Sequence, residues 1–214
     1  MQLDDLHRAS VARTLWQDNA DLAEEARTHP FVRGLADGTL RETVFAAYVA
    51  QDAFYLESFA RGYALGIAHS PDRHGLDAFA DLLAGLRAEL RLHEAYAGKL
   101  GIDLAGVEPL PATLAYTDFL LATAALGDLG HLCAALTPCL RLYAHLGQSL
   151  AARDHADRYA DWIRTYAAPG FEELACRLEA LLDTYARPGE HRTADVYRRA
   201  MRLEVSFFES AYRT

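Results

Sequence analysis

The sequence predicts an all-α protein, a compact bundle of seven or eight helices that occupies residues 1–214 as one domain. Three features point that way. Apolar positions recur at intervals of three and four along the whole chain. No alternation of apolar and polar residues lasts long enough for a strand. Caps, glycines and prolines interrupt the pattern at helix-length intervals.

A first amphipathic helix is predicted over about 4–27 and stops near His29-Pro30, because the residue before a proline is pushed out of the helical region. Residues 31–37 read as a short turn. Thr39-Leu40-Arg41-Glu42 has capping-box spacing, in which hydroxyl and carboxylate each satisfy an orphan amide, and opens a long helix to about 68. Ser70 as N-cap and Pro71 in the first turn start the next helix, which Gly101 ends. A loop containing Pro109 and Pro111 fills 101–111, and a helix follows over about 112–126. Gly127-Asp128 restarts the chain into a helix to about 149, kinked where Pro138 removes a backbone donor. Two shorter helices follow, over about 155–167 up to Pro169-Gly170 and over about 170–186 up to Pro188-Gly189. Thr193 caps a last helix to about 212.

A chain of 214 residues can bury about 70% of its unfolded surface in one core. Its 51% hydrophobic and 24% charged residues exclude a disordered or fibrous chain. The 30 acidic residues outnumber the 21 Lys and Arg, a net charge of −9, and no basic cluster breaks that field. Nucleic acid and anionic membranes are therefore excluded as partners, and a cationic small molecule is favoured. The segment from Met1 to Leu6 carries acids where a signal peptide carries bases, and no apolar run reaches the ~18 residues of a membrane span, which predicts a cytoplasmic protein. Cys133, Cys139 and Cys176 are odd in number and lack CxxC spacing, so neither a disulfide framework nor a zinc site follows.

In a helical core the informative residue is the inward polar one, since a buried charge without a partner is costly. The helix to about 68 carries the stripe Tyr48, Asp52, Tyr55, Phe59, which turns Asp52 inward. The last helix carries Tyr197, Met201, Glu204, Phe208, with Phe207 adjoining, and turns Glu204 inward. A third stripe, Leu132, Leu136, Cys139, Tyr143, Leu146, sets a thiol and a phenol one turn apart just after Pro138. Tyr116 and Tyr166 fall on two further apolar stripes. Each has a structural reading when taken singly: a hydrogen-bonded core acid, a small hydrophobic cysteine, a packed phenol. Cys133 and Cys176 take that reading. Two inward acids, a thiol and several phenols together are more economically satisfied by a polar ligand in a shared pocket.

Five segments resemble, in order, the blocks of the TenA-type thiaminase II family. They are Gln51-Asp52-Ala53-Phe54-Tyr55, Ala115–Leu120, Leu136–Tyr143, Tyr159–Tyr166 and Leu203–Tyr212, and the likeness runs from near residue 15 to the C-terminus. The resemblance implies a haem-oxygenase-like helical bundle without haem or other cofactor, assembled as a homotetramer. It implies hydrolysis at the methylene of 4-amino-5-substituted-methyl-2-methylpyrimidines, with thiamin or its aminomethyl-pyrimidine fragment as substrate, in thiamin salvage. By position, the family's nucleophile falls on Cys139, its catalytic glutamate on Glu204 and its ring-contacting acid on Asp52. Its pocket aromatics fall on Tyr55, Tyr116, Tyr143, Tyr166 and Phe207. Cys139 places the chain with the cysteine-containing members. Thr137 and Phe208 depart from the family's usual apolar residue and tryptophan, outside the proposed chemistry.

The residue types suit that chemistry. A buried acid at Glu204 keeps a proton for the ring nitrogen, which makes the adjacent ring carbon electrophilic. A thiolate at Cys139 adds there, and the resulting enamine expels the amine or thiazolium from the methylene before water takes its place. The thiolate needs a donor or a positive field, and Tyr143 is the candidate donor. Asp52 accepts from the exocyclic amino group.

Two rival readings differ in class. In a helical di-iron oxidase, Glu89 and His93 would be ligands, but the ExxH pairs of such sites are missing and no metal site is assigned. His93 reads instead as a helix-surface or intersubunit residue, and the other histidines, His131 among them, show no ligand spacing. A non-catalytic pyrimidine-binding or regulatory protein would not require both Cys139 and Glu204.

Overall fold

The computed structural model describes residues 10–214 and is helical, with no strand among them. Its ten α-helices are α1 (Val11–Asp18), α2 (Ala20–Thr28), α3 (Pro30–Asp37), α4 (Glu42–His69), α5 (Arg73–Leu100), α6 (Pro111–Leu126), α7 (Leu129–Ala151), α8 (Ala160–Ala167), α9 (Pro169–Tyr185) and α10 (His191–Tyr212). Short 3-10 turns at Leu104–Gly106 and Asp157–Tyr159 lead into α6 and α8. The segment from Met1 to Leu6, and the predicted helix start near residue 4, lie outside the described residues.

The helix count exceeds the predicted seven or eight, for local physical reasons. The first predicted helix is broken at Asn19, whose buried amide donates to Leu15 O at 2.8 Å and accepts from Arg198 of α10 at 3.1 Å. The predicted turn at 31–37 is the helix α3. Pro30 occupies its first turn, His29 Nδ1 accepts from Phe31 N at 3.1 Å, and Gly38 ends it in the left-handed region at φ 70°. Thr39 is not a cap: α4 starts after Arg41 without any side-chain cap bond, while Leu40 is pinned by its N–H to Gly34 O at 3.1 Å. Asp72, not Ser70, caps α5 by accepting from Gly75 N at 2.9 Å, and the Ser70 hydroxyl turns back to Gly66 O at 2.7 Å. Thr193 lies inside α10 and donates to Glu190 Oε2 at 2.6 Å. Gly101 does end α5, at φ 67°.

At the centre runs α7, a helix apolar nearly all round and buried along most of its length from Leu129 to Leu150, as such a sequence requires. It packs against α6, α8, α9 and α10, and α4 packs against α5, α6, α7 and α10. Pro138 and Cys139 therefore sit mid-helix inside the core. Gly147 sets how closely α8 approaches, because a Cβ there would come within 2.6 Å of Ala167 N. That contact brings the Tyr166 ring to 4.8 Å from Tyr143. No described helix is long and apolar enough to cross a membrane.

Candidate active site

Three helices each turn one reactive group into the same interior: α4 contributes Asp52, α7 Cys139 and α10 Glu204, exposed by 4, 8 and 2%. Each rides on the stripe read from the sequence. Glu204 Oε1 accepts from the Tyr116 hydroxyl at 2.6 Å, and the carboxyl also meets the Cys139 thiol. Burial pushes the Glu204 acid up to about 7, with those two hydrogen bonds pulling it back. The Cys139 thiol is held well above its usual range by burial, then by the fields of Glu204, Glu89 and Asp52, with only the Tyr55 hydroxyl opposing them. At neutral pH the sulfur is therefore protonated, and its proton faces a carboxyl that can take it.

This corrects two expectations. No positive field stabilises a resting thiolate. The phenol beside the sulfur is Tyr55, not Tyr143, whose hydroxyl meets the Tyr48 hydroxyl at 3.4 Å instead. Tyr55 Oη is buried with no aligned hydrogen-bond partner, an orphaned donor at the edge of the thiol site.

Asp52 faces Tyr48, whose hydroxyl donates to Oδ2 at 3.3 Å. His93 Nε2 lies 3.1 Å from the same oxygen, though neither ring nitrogen is aligned for a hydrogen bond. Burial lowers His93 to about 4, while burial and then the fields of Glu89 and Glu204 raise Asp52 well above the carboxylate range. Burial thus disfavours the charged form of both partners. His93 is thus a core residue, not a surface or intersubunit one, because the α5 stripe Phe79, Leu82, Leu86 continues through Glu89 to His93.

Glu89 is the residue that the sequence reading left without a role here. Its Oε1 accepts from the Tyr166 hydroxyl at 3.0 Å, and burial pushes it up to about 7 against that bond. The stripe that turns Asp52 and Glu204 inward is repeated on α5, so the signal was present in the spacing. Gln51 was quoted in the sequence but given no task. Its Oε1 accepts from Leu110 N at 2.8 Å and Thr113 Oγ1 at 2.6 Å, and its Nε2 donates to Glu108 O at 3.1 Å, tying the segment before α6 to α4 next to Asp52.

Aromatic rings close the site. Tyr55 lies 4.6 Å from Tyr116, Phe207 6.0 Å from Tyr55 and 6.1 Å from Tyr48, and Trp162 4.6 Å from Tyr166. Ring contacts and hydrogen bonds link these side chains, through Tyr48, into one contact network. Cys133 is a core residue as predicted, whereas Cys176 is exposed on α9, where its thiol meets Glu172 at 3.3 Å. His131, without ligand spacing in the sequence, stands between Asp128 at 3.0 Å and Glu190 at 3.4 Å. Each ring nitrogen faces a different carboxylate, the pattern of a brace between α7 and the start of α10. A surface cleft of about 660 Å³, lined by Asp118, Phe119, Arg192 and Arg199 among others, touches none of Asp52, Cys139 and Glu204. None of the three cysteines lines it, so chemistry rather than volume selects the interior site.

Residues 16–214 match the TENA/THI-4/PQQC family. The chain belongs to that family. It is similar to the aminopyrimidine aminohydrolase of Halalkalibacterium halodurans, 37% identical over 95% of this chain and 96% of that protein. Among solved structures, a TenA family transcription regulator from Silicibacter sp. TM1040 superposes with a TM-score of 0.89, 28% identical over 94% of this chain and 96% of that one. A Shewanella denitrificans domain with a heme oxygenase-like fold superposes with a TM-score of 0.74 at 16% identity, covering 94% of this chain and 91% of that one. The haem-oxygenase-like architecture read from the TenA resemblance is therefore the observed one.

Proposed function

We infer that this TenA family member is an aminopyrimidine aminohydrolase of the thiaminase II type, acting in thiamin salvage through a covalent cysteine intermediate. The observation that supports it best is that Asp52, Cys139 and Glu204, from three different helices, are buried in one interior, with the Tyr116 hydroxyl donating to Glu204 Oε1 at 2.6 Å. A pyrimidine bound between Asp52 and Glu204 presents its amino group to Asp52 and its ring nitrogen to Glu204. Cys139 adds to ring carbon six, and its thiol proton passes to Glu204 and from there to the ring nitrogen. One group thus carries the proton in both directions, and the step consumes no external acid.

The ring of the resulting adduct is an enamine, whose electron pair expels the substituent from the methylene and leaves an exocyclic double bond. Water adds there, the ring electrons return, and the sulfur departs with its proton restored from the ring nitrogen through Glu204. Phe207, Tyr55, Tyr143 and Tyr166 supply faces and hydroxyls around the flat ring, and the orphaned Tyr55 hydroxyl can donate to the substrate or the sulfur. By the resemblance, residues 1–214 work as one domain in a cytoplasmic homotetramer. Exposed Leu126, on the last turn of α6, fits a surface that a second copy covers.

The test is release of hydroxymethylpyrimidine and ammonia from the aminomethyl-pyrimidine, compared with cleavage of thiamin. Cys139→Ser should abolish turnover while still binding the pyrimidine, and intact-mass measurement of quenched wild-type enzyme should show the adduct. Unchanged hydrolysis by Cys139→Ser removes the covalent step. No ammonia from the wild-type protein would favour a pyrimidine-binding role instead.

A further inference from the structure

α5 places a carboxyl at the site for which the scheme above has no use. Glu89 is held by the Tyr166 hydroxyl at 3.0 Å, and His93, one turn further along α5, lies 3.1 Å from Asp52 Oδ2, so this stretch of the helix runs along the site. Tyr166 in turn packs on Tyr143, whose hydroxyl meets the Tyr48 hydroxyl that donates to Asp52. Glu89 is thus tied by contacts to the wall formed by α4, α7 and α8.

The order of groups around this wall can be compared with the order of atoms around the substrate ring. Starting from the protonatable nitrogen, an aminopyrimidine presents carbon six, then the carbon bearing the reacting methylene, then the carbon bearing the amino group. The roles inferred above set Glu204 at the nitrogen, Cys139 at carbon six and Asp52 at the amino group. The methylene and its leaving group then fall between Cys139 and Asp52, on the side where α5 brings His93 to Asp52 and Glu89 to Tyr166.

We propose that Glu89 is a further catalytic residue, which gives its proton to the departing amine nitrogen and recovers one from the water that replaces it. This deepens the hydrolase reading and rests on it. As the carbon–nitrogen bond breaks, its electron pair stays on nitrogen, and the Glu89 proton makes that nitrogen neutral ammonia. The Glu89 carboxylate then takes a proton from water as oxygen bonds to the methylene, so the acid is regenerated within one turnover. Tyr166 is the positioning residue that aims the carboxyl.

Two substrates separate this role from simple packing. The amine needs a proton to leave, whereas the thiazolium of thiamin leaves as a neutral thiazole without one. Glu89→Gln should lower kcat on the aminomethyl-pyrimidine about 10²-fold and lower thiamin cleavage by a factor about ten times smaller or less. Glu89→Asp should recover part of the amine rate, and it carries the same two-substrate comparison if Glu89→Gln does not fold. Equal losses on both substrates, or no loss on the amine, overturn the proposal. A wild-type protein inert on both substrates would sink the hydrolase reading itself, and this proposal with it.

Discussion

The Tyr116 hydroxyl donates to Glu204 at 2.6 Å, the shortest link between α6 and α10 inside the site. A phenol donating to a buried acid stabilises the carboxylate, so it opposes the burial that would otherwise keep Glu204 protonated. The bond therefore sets the pH at which Glu204 can accept the Cys139 proton.

Tyr116→Phe should raise the Glu204 pKa, because the lost bond is one that lowers it. In the proposed scheme the carboxylate must face a thiol, so the acid limb of kcat/KM should rise through about 7 in the wild type. In the variant that limb should move to higher pH, with a loss at pH 7 of about tenfold for a shift of one unit. A pH–rate profile on the aminomethyl-pyrimidine decides; an unmoved limb assigns it to another group.

Glu204→Gln should be inactive and more stable at high pH. Burial raises the folded-state pKa of Glu204 from 4.5 to about 7, so the native state binds more protons than the unfolded chain between those values. The stability that this group supports is complete below about pH 4.5 and is lost as pH rises through about 7, a change of about 3 kcal/mol. The amide, which cannot ionise, removes that loss. Urea unfolding at pH 5 and pH 8 should show a smaller decline for the variant than for the wild type, and parallel declines would contradict the assignment.

Gln51→Ala removes three side-chain hydrogen bonds that hold the segment before α6 against α4. At roughly 1 kcal/mol each, the loss should be about 2–3 kcal/mol of stability. The neighbouring Asp52 should be less well placed, so KM for the aminomethyl-pyrimidine should rise more than kcat falls. A thermal melt and a steady-state comparison check the two parts separately.

Alkylation should distinguish the three cysteines. Cys139 and Cys133 are buried, with thiols pushed well up by burial, while Cys176 is exposed. Iodoacetamide at neutral pH should label Cys176 first, and peptide mass mapping should find Cys139 modified slowly. Rapid labelling of Cys139 would show a thiolate at rest and overturn the proton inventory given above.

The acids at 52 and 204 were legible in the sequence because each interrupts a long apolar stripe, where spacing of three and four fixes the inward face without help from distant residues. Glu89 and His93 obey the same spacing, after Phe79, Leu82 and Leu86, although their separation of four also suggests a metal-ligand pair and the sequence reading sets His93 on the surface. The break at Asn19 was not legible, since the side chain that fixes it is Arg198, far along the chain. Helix α3 was missed because its 8 residues are too few to establish a period. What no stripe could reveal is the choice of phenol at the sulfur: Tyr55 and Tyr143 sit on equally good stripes, and only the packing of α4 on α7 selects Tyr55.

At Gly147 the backbones of α7 and α8 meet with no room for a methyl group. The spacing of the two helices that carry Tyr143 and Tyr166 is thereby decided by a residue with no side chain of its own. Enlarging that position would pry Tyr166 from Tyr143 and release Glu89 from its anchor, so the spacing of two rings and the aim of an acid are tuned by a single carbon.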